Sequence, residues 1–132
     1  MSPIHVSVLL LLLSLPALAQ TRFRASGQTV GILKTGSLNA ITDVADVRVG
    51  HVTLRRGDSV RTGVTVVVPH GGNVFQQKVP AAVFVGNGFG KMTGLSQIAE
   101  LGNLETPIVL TNTLSVAAGI EGLVTHTLAQ PG

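Results

Sequence analysis

Four stretches decide the fold: LNAITDVADVRVGHVTL (38–54), RTGVTVVVPH (61–70), VPAAVFVGNGFGKMTGLSQIAELG (79–102) and ETPIVLTNTLSV (105–116). Within the second, Val64, Val66, Val67 and Val68 are β-branched and almost continuous. Such a run predicts a strand over Val60–Pro69 buried on both faces. Val47, Val49, Val52 and Leu54 predict the strand before it, with Gly50 in its middle as a bulge or a close backbone approach. Arg55 to Ser59 forms the turn between the two, by its composition. Val79 to Val85 predicts a further buried strand, in which Ala81 and Ala82 are small enough for close layer packing.

Helices come next. Thr93 to Leu101 reads as a short helix with Thr93 as cap, Leu95, Ile98 and Leu101 on one face, and Gly102 as its end. Pro107 to Asn112 is a buried strand. Thr113 to Leu128 is a second helix, with Leu114, Ala117, Ala118, Val124 and Leu128 near helical spacing. Gly119 and Gly122 each weaken it by about 1 kcal/mol relative to alanine, while permitting tight packing on a sheet. Leu38 to Thr42 starts the domain and Asp43 to Asp46 is a turn. The order is strand, strand, strand, helix, strand, helix, an α/β mixture without a regular repeat.

The N-terminus reads differently. Val6 to Leu15 is an apolar run, Pro16 breaks it, and Ala17-Leu18-Ala19 has the small-x-small form of a cleavage site. Residues 1–19 therefore read as a secretory signal peptide, too short to span a bilayer comfortably. Its removal from the 132-residue chain leaves 113, enough for one domain at most. Residues 20–37 are polar and read as an extended leader, and residues 38–132 as the domain portion. With no cysteine, disulfides, thiolate metal sites and cysteine nucleophiles are all excluded. Export without cysteine suits a bacterial periplasm or exterior.

Charge argues against nucleic acid. The net charge is only +3, and the arginines are scattered. There is no Trp or Tyr and only four Phe, so a base-stacking platform is not expected. No membrane contact is expected once the signal is removed.

Few conventional chemical motifs survive inspection. The run from Gly86 to Lys91 sits between a strand and a helix, where a phosphate loop would stand. Gly86 is one residue too close to Gly90 for that loop, and Met92 replaces its hydroxyl residue. G-x-G-x-x-G fails as well. His51, His70 and His126 share no ligand spacing, so no metal is expected. His70, after Pro69 at a strand end, is the histidine placed nearest a site, though a satisfied surface role is the commoner one. Ser96 and Ser115 lack both a nucleophile elbow and an identifiable base. The glycines of 86–90 allow a sharp turn with exposed amides, a natural pocket wall. Thr111-Asn112-Thr113 can cap the second helix or direct an amide into a cleft at the strand end.

Taken in order, LNAITDV with VRVGH, RTGV, GNGFGKMTGL and TPIVLTNTLSV resemble the front of the DmpA-like peptidases, the L-aminopeptidase D-esterase and β-peptidyl aminopeptidase family. The resemblance runs from Leu38 to about Val124. It implies part of a four-layer α/β/β/α sandwich, similar to N-terminal nucleophile hydrolases. Family precursors cleave themselves into an α and a β chain, and the new N-terminal serine attacks. An α-amine has a pKa near 8, so that serine carries its own base. The resemblance implies that the serine lies downstream of Gly132, with no catalytic residue in this chain, no cofactor, a β chain as partner and a homo-oligomeric complete enzyme. Implied substrates are short peptides, amino-acid amides or esters.

The family pattern puts one side of the substrate pocket at Asn87, Phe89 and Lys91, and at Leu110, Asn112 and Thr113. The family position matching Lys91 tends to be acidic and to hold the substrate amine; lysine inverts that charge. The position matching Leu110 is a tyrosine in some members, able to assist the oxyanion; leucine is not. The apolar strand edges and the loop-like Gln130-Pro131-Gly132 suggest a fragment or a truncated gene product. The alternative is a non-catalytic secreted binding or assembly module, or an inactive gene fragment, derived from the same fold.

Overall fold

The computed structural model describes residues 22–132, so the expected signal peptide lies outside the described residues. The chain divides into two units, Met1–Lys34 and Thr35–Gly132. In the first, Phe23–Ser26 forms a 3-10 turn, closed by the Ser26 hydroxyl donating to the Phe23 carbonyl at 2.6 Å. A leader extended throughout is thus not observed; local hydrogen bonding curls it.

The second unit begins with a knot around Asp43. Its carboxylate accepts from the Leu38 amide at 2.8 Å, the Ala40 amide at 3.0 Å and the Ser37 hydroxyl at 3.1 Å. The Leu38 and Ala40 amides, in that order, hold the carboxyl below its ordinary value of 3.8, against a smaller upward push from desolvation. Ile41–Asp43 closes as a 3-10 turn, and Asp46 follows in the left-handed region.

Strands β1 (Arg48–Arg56) and β2 (Val60–Val68) form an antiparallel hairpin in unbroken register, from Arg48 opposite Val68 to Arg56 opposite Val60. Arg55 and Arg56 belong to β1, because the turn needs only Gly57 to Ser59. Gly50 is not a bulge: it pairs with Val66, and a Cβ there would meet nothing. The close approach is at Gly63 instead, where a Cβ would lie 2.4 Å from the Val52 carbonyl oxygen.

After the hairpin come β3 (Val79–Pro80), α1 (Leu95–Leu101), β4 (Asn103–Leu104), β5 (Ile108–Leu110) and α2 (Val116–Leu128). The strand expected over Val79–Val85 stops after two paired residues. Val79 faces Leu104, Pro80 faces Asn103, and the Ala81 amide donates to the Gly102 carbonyl at 2.9 Å. There the partner chain turns away, since Gly102 ends α1 at φ 65°. Residues 81–85 keep strand composition with no ladder beside them among the described residues, and Phe84 is 93% exposed. The two-residue β4 has too short a signature to be legible in sequence.

Thr93 does not cap α1. Gly94 occupies that position in the left-handed region, without a side-chain cap bond. Ile98 is buried at 9% exposure as expected, but Leu101 is exposed. In α2 the inward stripe is Val116, Gly119, Leu123 and Thr127, all half-buried. Leu114 precedes the helix and is 92% exposed, and Val124 and Leu128 are exposed as well. The rotation follows from Gly119, whose missing Cβ would meet Val109 Cγ1 at 3.3 Å; the helix axis lies against β5 there. Gly122 makes no such approach.

β5 adds antiparallel to β2, giving the order β1-β2-β5. Val64, Val66 and Val68 of β2 face α2 across a groove shared with Val109 and Leu123. Alternation along a strand sends Thr65 and Val67 to the other face. The register sets Val49 and Ile108 beside Val67, and His51 and Leu110 beside Thr65. No described element covers that strip, so β2 is half-buried and not buried on both faces. Among the described residues Val74, at 5%, and Pro107 join Ile98 as buried apolar core.

Candidate active-site half

A cavity of about 490 Å³ lies between residues 81–84, the run Gly90–Gly94, α1, β5 and α2. Its walls are mostly apolar, from residues such as Ala82, Ile98, Val109 and Ile120. Two of the six sequence-expected site residues, Lys91 and Leu110, reach it from opposite segments. Its size is within the range of small-ligand pockets.

The loop that delivers Lys91 is built by Asn87. The Asn87 side chain accepts from the Phe89 amide at 3.0 Å and caps the 3-10 turn Gly88–Gly90. Lys91 terminates that turn at φ 51°, in a backbone region that few non-glycine residues adopt. Phe89 projects away, 87% exposed, and neither it nor Asn87 lines the cavity. Asn87 therefore shapes the loop, while Lys91 is among the residues that line the cavity.

Asn112 acts similarly on the other wall. Its Nδ2 donates to Thr62 Oγ1 at 2.8 Å, and its Oδ1 accepts from the Leu114 and Ser115 amides at 3.1 Å each. Its amide is thus committed to joining β2, the end of β5 and the start of α2. Asn112 and the exposed Thr113 lie outside the cavity lining. Thr111, noted in sequence as the first residue of the strand-end Thr-Asn-Thr, stands inside it. Its hydroxyl donates to the Gly63 carbonyl at 3.2 Å, so the site wall hangs on the same glycine that permits the tight β1–β2 approach. A strand-end Thr-Asn-Thr was the available signal; which threonine turns inward depends on register. Gln97, also in the lining, donates to the Asn103 carbonyl and side chain at 3.0 Å each. No sequence signal marks it, because its partner exists only once β4 folds back.

His70 is a loop fastener. Its Nδ1 accepts from the Gly72 amide at 3.1 Å, which leaves Nε2–H to donate to the Gln77 carbonyl at 2.8 Å. Among the described residues it is the one histidine with hydrogen-bonded ring nitrogens, and it bonds only backbone groups. His51 and His126 line two separate surface grooves. Among the described residues no three metal-ligating side chains of the His, Asp and Glu kind come together. No described helix is long and apolar enough to cross a membrane.

The chain is similar to known proteins. The family model for peptidase family S58 matches residues 39–132. The chain is 40% identical to the β-peptidyl aminopeptidase BapA of Sphingosinicella microcystinivorans over 69% of its own length and 25% of that protein. It is 44% identical to the BapA of Sphingosinicella xenopeptidilytica, over 61% of this chain and 22% of the relative. The chain thus spans about a quarter of the curated relatives it matches. The crystal structure of the PH0078 protein from Pyrococcus horikoshii OT3 superposes with a TM-score of 0.75 at 49% identity, over 80% of this chain and 32% of that one. The match over residues 39–132, with the cavity built from its GNGFGKM and TPIVLTNT segments, places this chain in peptidase family S58, the DmpA-like peptidases.

Proposed function

We propose that this chain forms the N-terminal part of the α-chain side of a secreted, self-processing aminopeptidase that acts on short peptides, amino-acid amides or esters. The observation that carries the reading is the cavity lined jointly by Lys91 and Leu110. These two residues, 19 apart in sequence and each from a motif shared with the family, both line it. In this reading Asn87 and Asn112 position the two walls through their backbone bonds, and Phe89 and Thr113 flank them.

The nucleophile comes from outside these 132 residues, as a serine freed by self-cleavage. Its own α-amine takes the hydroxyl proton, the hydroxyl oxygen attacks the carbonyl, and the proton passes to the leaving amine. Water then releases the acyl group. Lys91 and the end of β5 at Leu110 flank the acyl portion. The uncovered strip of Val49, Val67, Ile108 and Leu110 supports a second sheet layer over it, in keeping with a four-layer α/β/β/α sandwich. The apolar segment before Gln20 supports export to the periplasm or exterior. Assembly of the complete enzyme into a homo-oligomer is part of the same proposal.

Expression from the complete coding sequence tests it. Two bands on a denaturing gel, with hydrolysis of alanine p-nitroanilide, are expected. A single unprocessed band without hydrolysis would refute the reading in favour of a non-catalytic module.

A further inference from the structure

We propose that Gln97 holds the free amino group of the substrate, its side-chain oxygen Oε1 accepting one of the amine's hydrogens. The inference rests on the aminopeptidase reading above and names the residue of this chain that recognises the substrate's amino terminus. Gln97 lies on α1, half-buried, and lines the cavity shared by Lys91 and Leu110. It also lines the neighbouring cavity of about 540 Å³ against the C-terminal half of α2, so it stands on the wall between the two. Both hydrogens of its Nε2 are spent, on the Asn103 carbonyl and on Asn103 Oδ1, at 3.0 Å each. Asn103 is itself fixed, because its Nδ2 donates to the Leu101 carbonyl at 3.1 Å. Two acceptors facing the Gln97 amide decide which end is nitrogen, and Oε1 is the end left over. Oε1 has no partner among the described residues, and no described side-chain polar atom is both buried and unpaired, so this oxygen is open to a ligand.

The other polar groups of the lining leave this role to Gln97. Thr111 has spent its hydrogen on the Gly63 carbonyl, so it too offers only lone pairs. Thr93 and Thr106 can turn their hydroxyls either way and set no preference. Lys91 carries three donors and no acceptor, so it cannot hold an amine, and its exposure lets water and salt screen its charge. An amine is the substrate group that brings hydrogens, and as an ammonium it makes the stronger, charge-assisted bond to an amide oxygen. The apolar remainder of the wall, with Ala82, Ile98, Val109 and Ile120, makes that bond count for more than it would in water.

Alanine p-nitroanilide and propionyl p-nitroanilide test the proposal, because they differ only in the amine. The protein is expressed from its complete coding sequence, and kcat and KM are measured for both. The alanyl compound is expected to be preferred. In Gln97→Met, which keeps the length of the side chain and removes the oxygen, kcat/KM for the alanyl compound falls about tenfold, mainly through KM, while the propionyl value changes by less than about twofold. A purely structural role would lower the two together and leave their ratio unchanged. No alanyl preference in the unsubstituted protein, or a ratio indifferent to Gln97→Met, overturns the assignment. Gln97→Glu keeps an oxygen there and is expected to hold or raise the ratio. It decides the matter if Gln97→Met does not fold, since a falling ratio overturns the proposal. If neither compound is hydrolysed, the hydrolase reading fails separately. Saturation-transfer NMR with alaninamide and propionamide then decides the site: binding of alaninamide alone, abolished in Gln97→Met, supports it, and equal binding, or none, overturns it.

Discussion

Replacing Gly63 with alanine tests how the hairpin holds the site. The added Cβ would stand 2.4 Å from the Val52 carbonyl oxygen, a distance no relaxed structure tolerates. The obstacle is backbone in the middle of the β1–β2 register, so it cannot rotate aside as a side chain would. Overpacking of this kind costs roughly 1–3 kcal/mol. The alanine also restricts the unfolded chain, which returns about 0.4–1 kcal/mol. The net loss is about 1–2 kcal/mol, or roughly 5–15 °C in Tm for a unit of this size. Gly50→Ala is the internal control. It lies in the same hairpin, opposite Val66, with open space where its Cβ would go. Only the unfolded-chain effect remains there, so it is expected to be neutral or stabilising by up to about 1 kcal/mol. Urea unfolding at constant m-value reads the difference between the two. Equal midpoints would refute the claim that Gly63, and not Gly50, is the point of close approach. Because the Gly63 carbonyl accepts from Thr111, Gly63→Ala is also expected to lower activity of the complete protein more than Gly50→Ala does.

Asp43 gives a pH dependence. Its carboxyl is held below 3.8 in the folded chain, so its stabilising effect is fully present above the unfolded value and is lost as pH falls through the folded one. Asp43→Asn is expected to flatten that acid limb of the stability profile below about pH 4, and an unchanged acid limb would dismiss the role. Lys78 pairs with Glu105 at 3.0 Å and sits 4.3 Å from the Phe75 ring centroid, tying the Val74 loop to β4. The pair is partly exposed, so a double-mutant cycle with Lys78→Met and Glu105→Gln should yield about 0.5–1 kcal/mol of coupling, and zero would mean solvent screens it fully. Asn112→Ala removes three hydrogen bonds at the β5–α2 junction and is expected to cost about 1–2 kcal/mol in thermal unfolding; Asn112→Asp, which keeps the two amide acceptor bonds but not the donor to Thr62, should recover part of it.

The family and the identity of the main elements were legible in sequence, because they rest on local patterns. A β-branched run such as Val64–Val68 has few alternatives to a strand, and Gly102 after Leu101 ends a helix whatever surrounds it. The GNGFGKM and TPIVLTNT motifs likewise pointed to the two walls that meet. What local pattern could not decide was anything that depends on a partner distant in sequence. Residues 81–85 have strand composition, but pairing ends where Gly102 turns the neighbouring chain away. Helical spacing singled out Leu114, Ala117, Ala118, Val124 and Leu128 in α2, yet the close approach of Gly119 to Val109 set its inward face. Gly50 and Gly63 are indistinguishable as letters in a strand, and only the register shows which has a carbonyl against it. The same holds at the site. The residue type and position of Lys91 are sequence facts, whereas its standing as the single charge on an apolar cavity is decided by five segments brought together in space. Composition and periodicity act over one or two turns of chain, and so they determine elements; steric fit and charge neutralisation act across the fold, and so only tertiary structure determines faces, registers and which groups are left to meet a ligand.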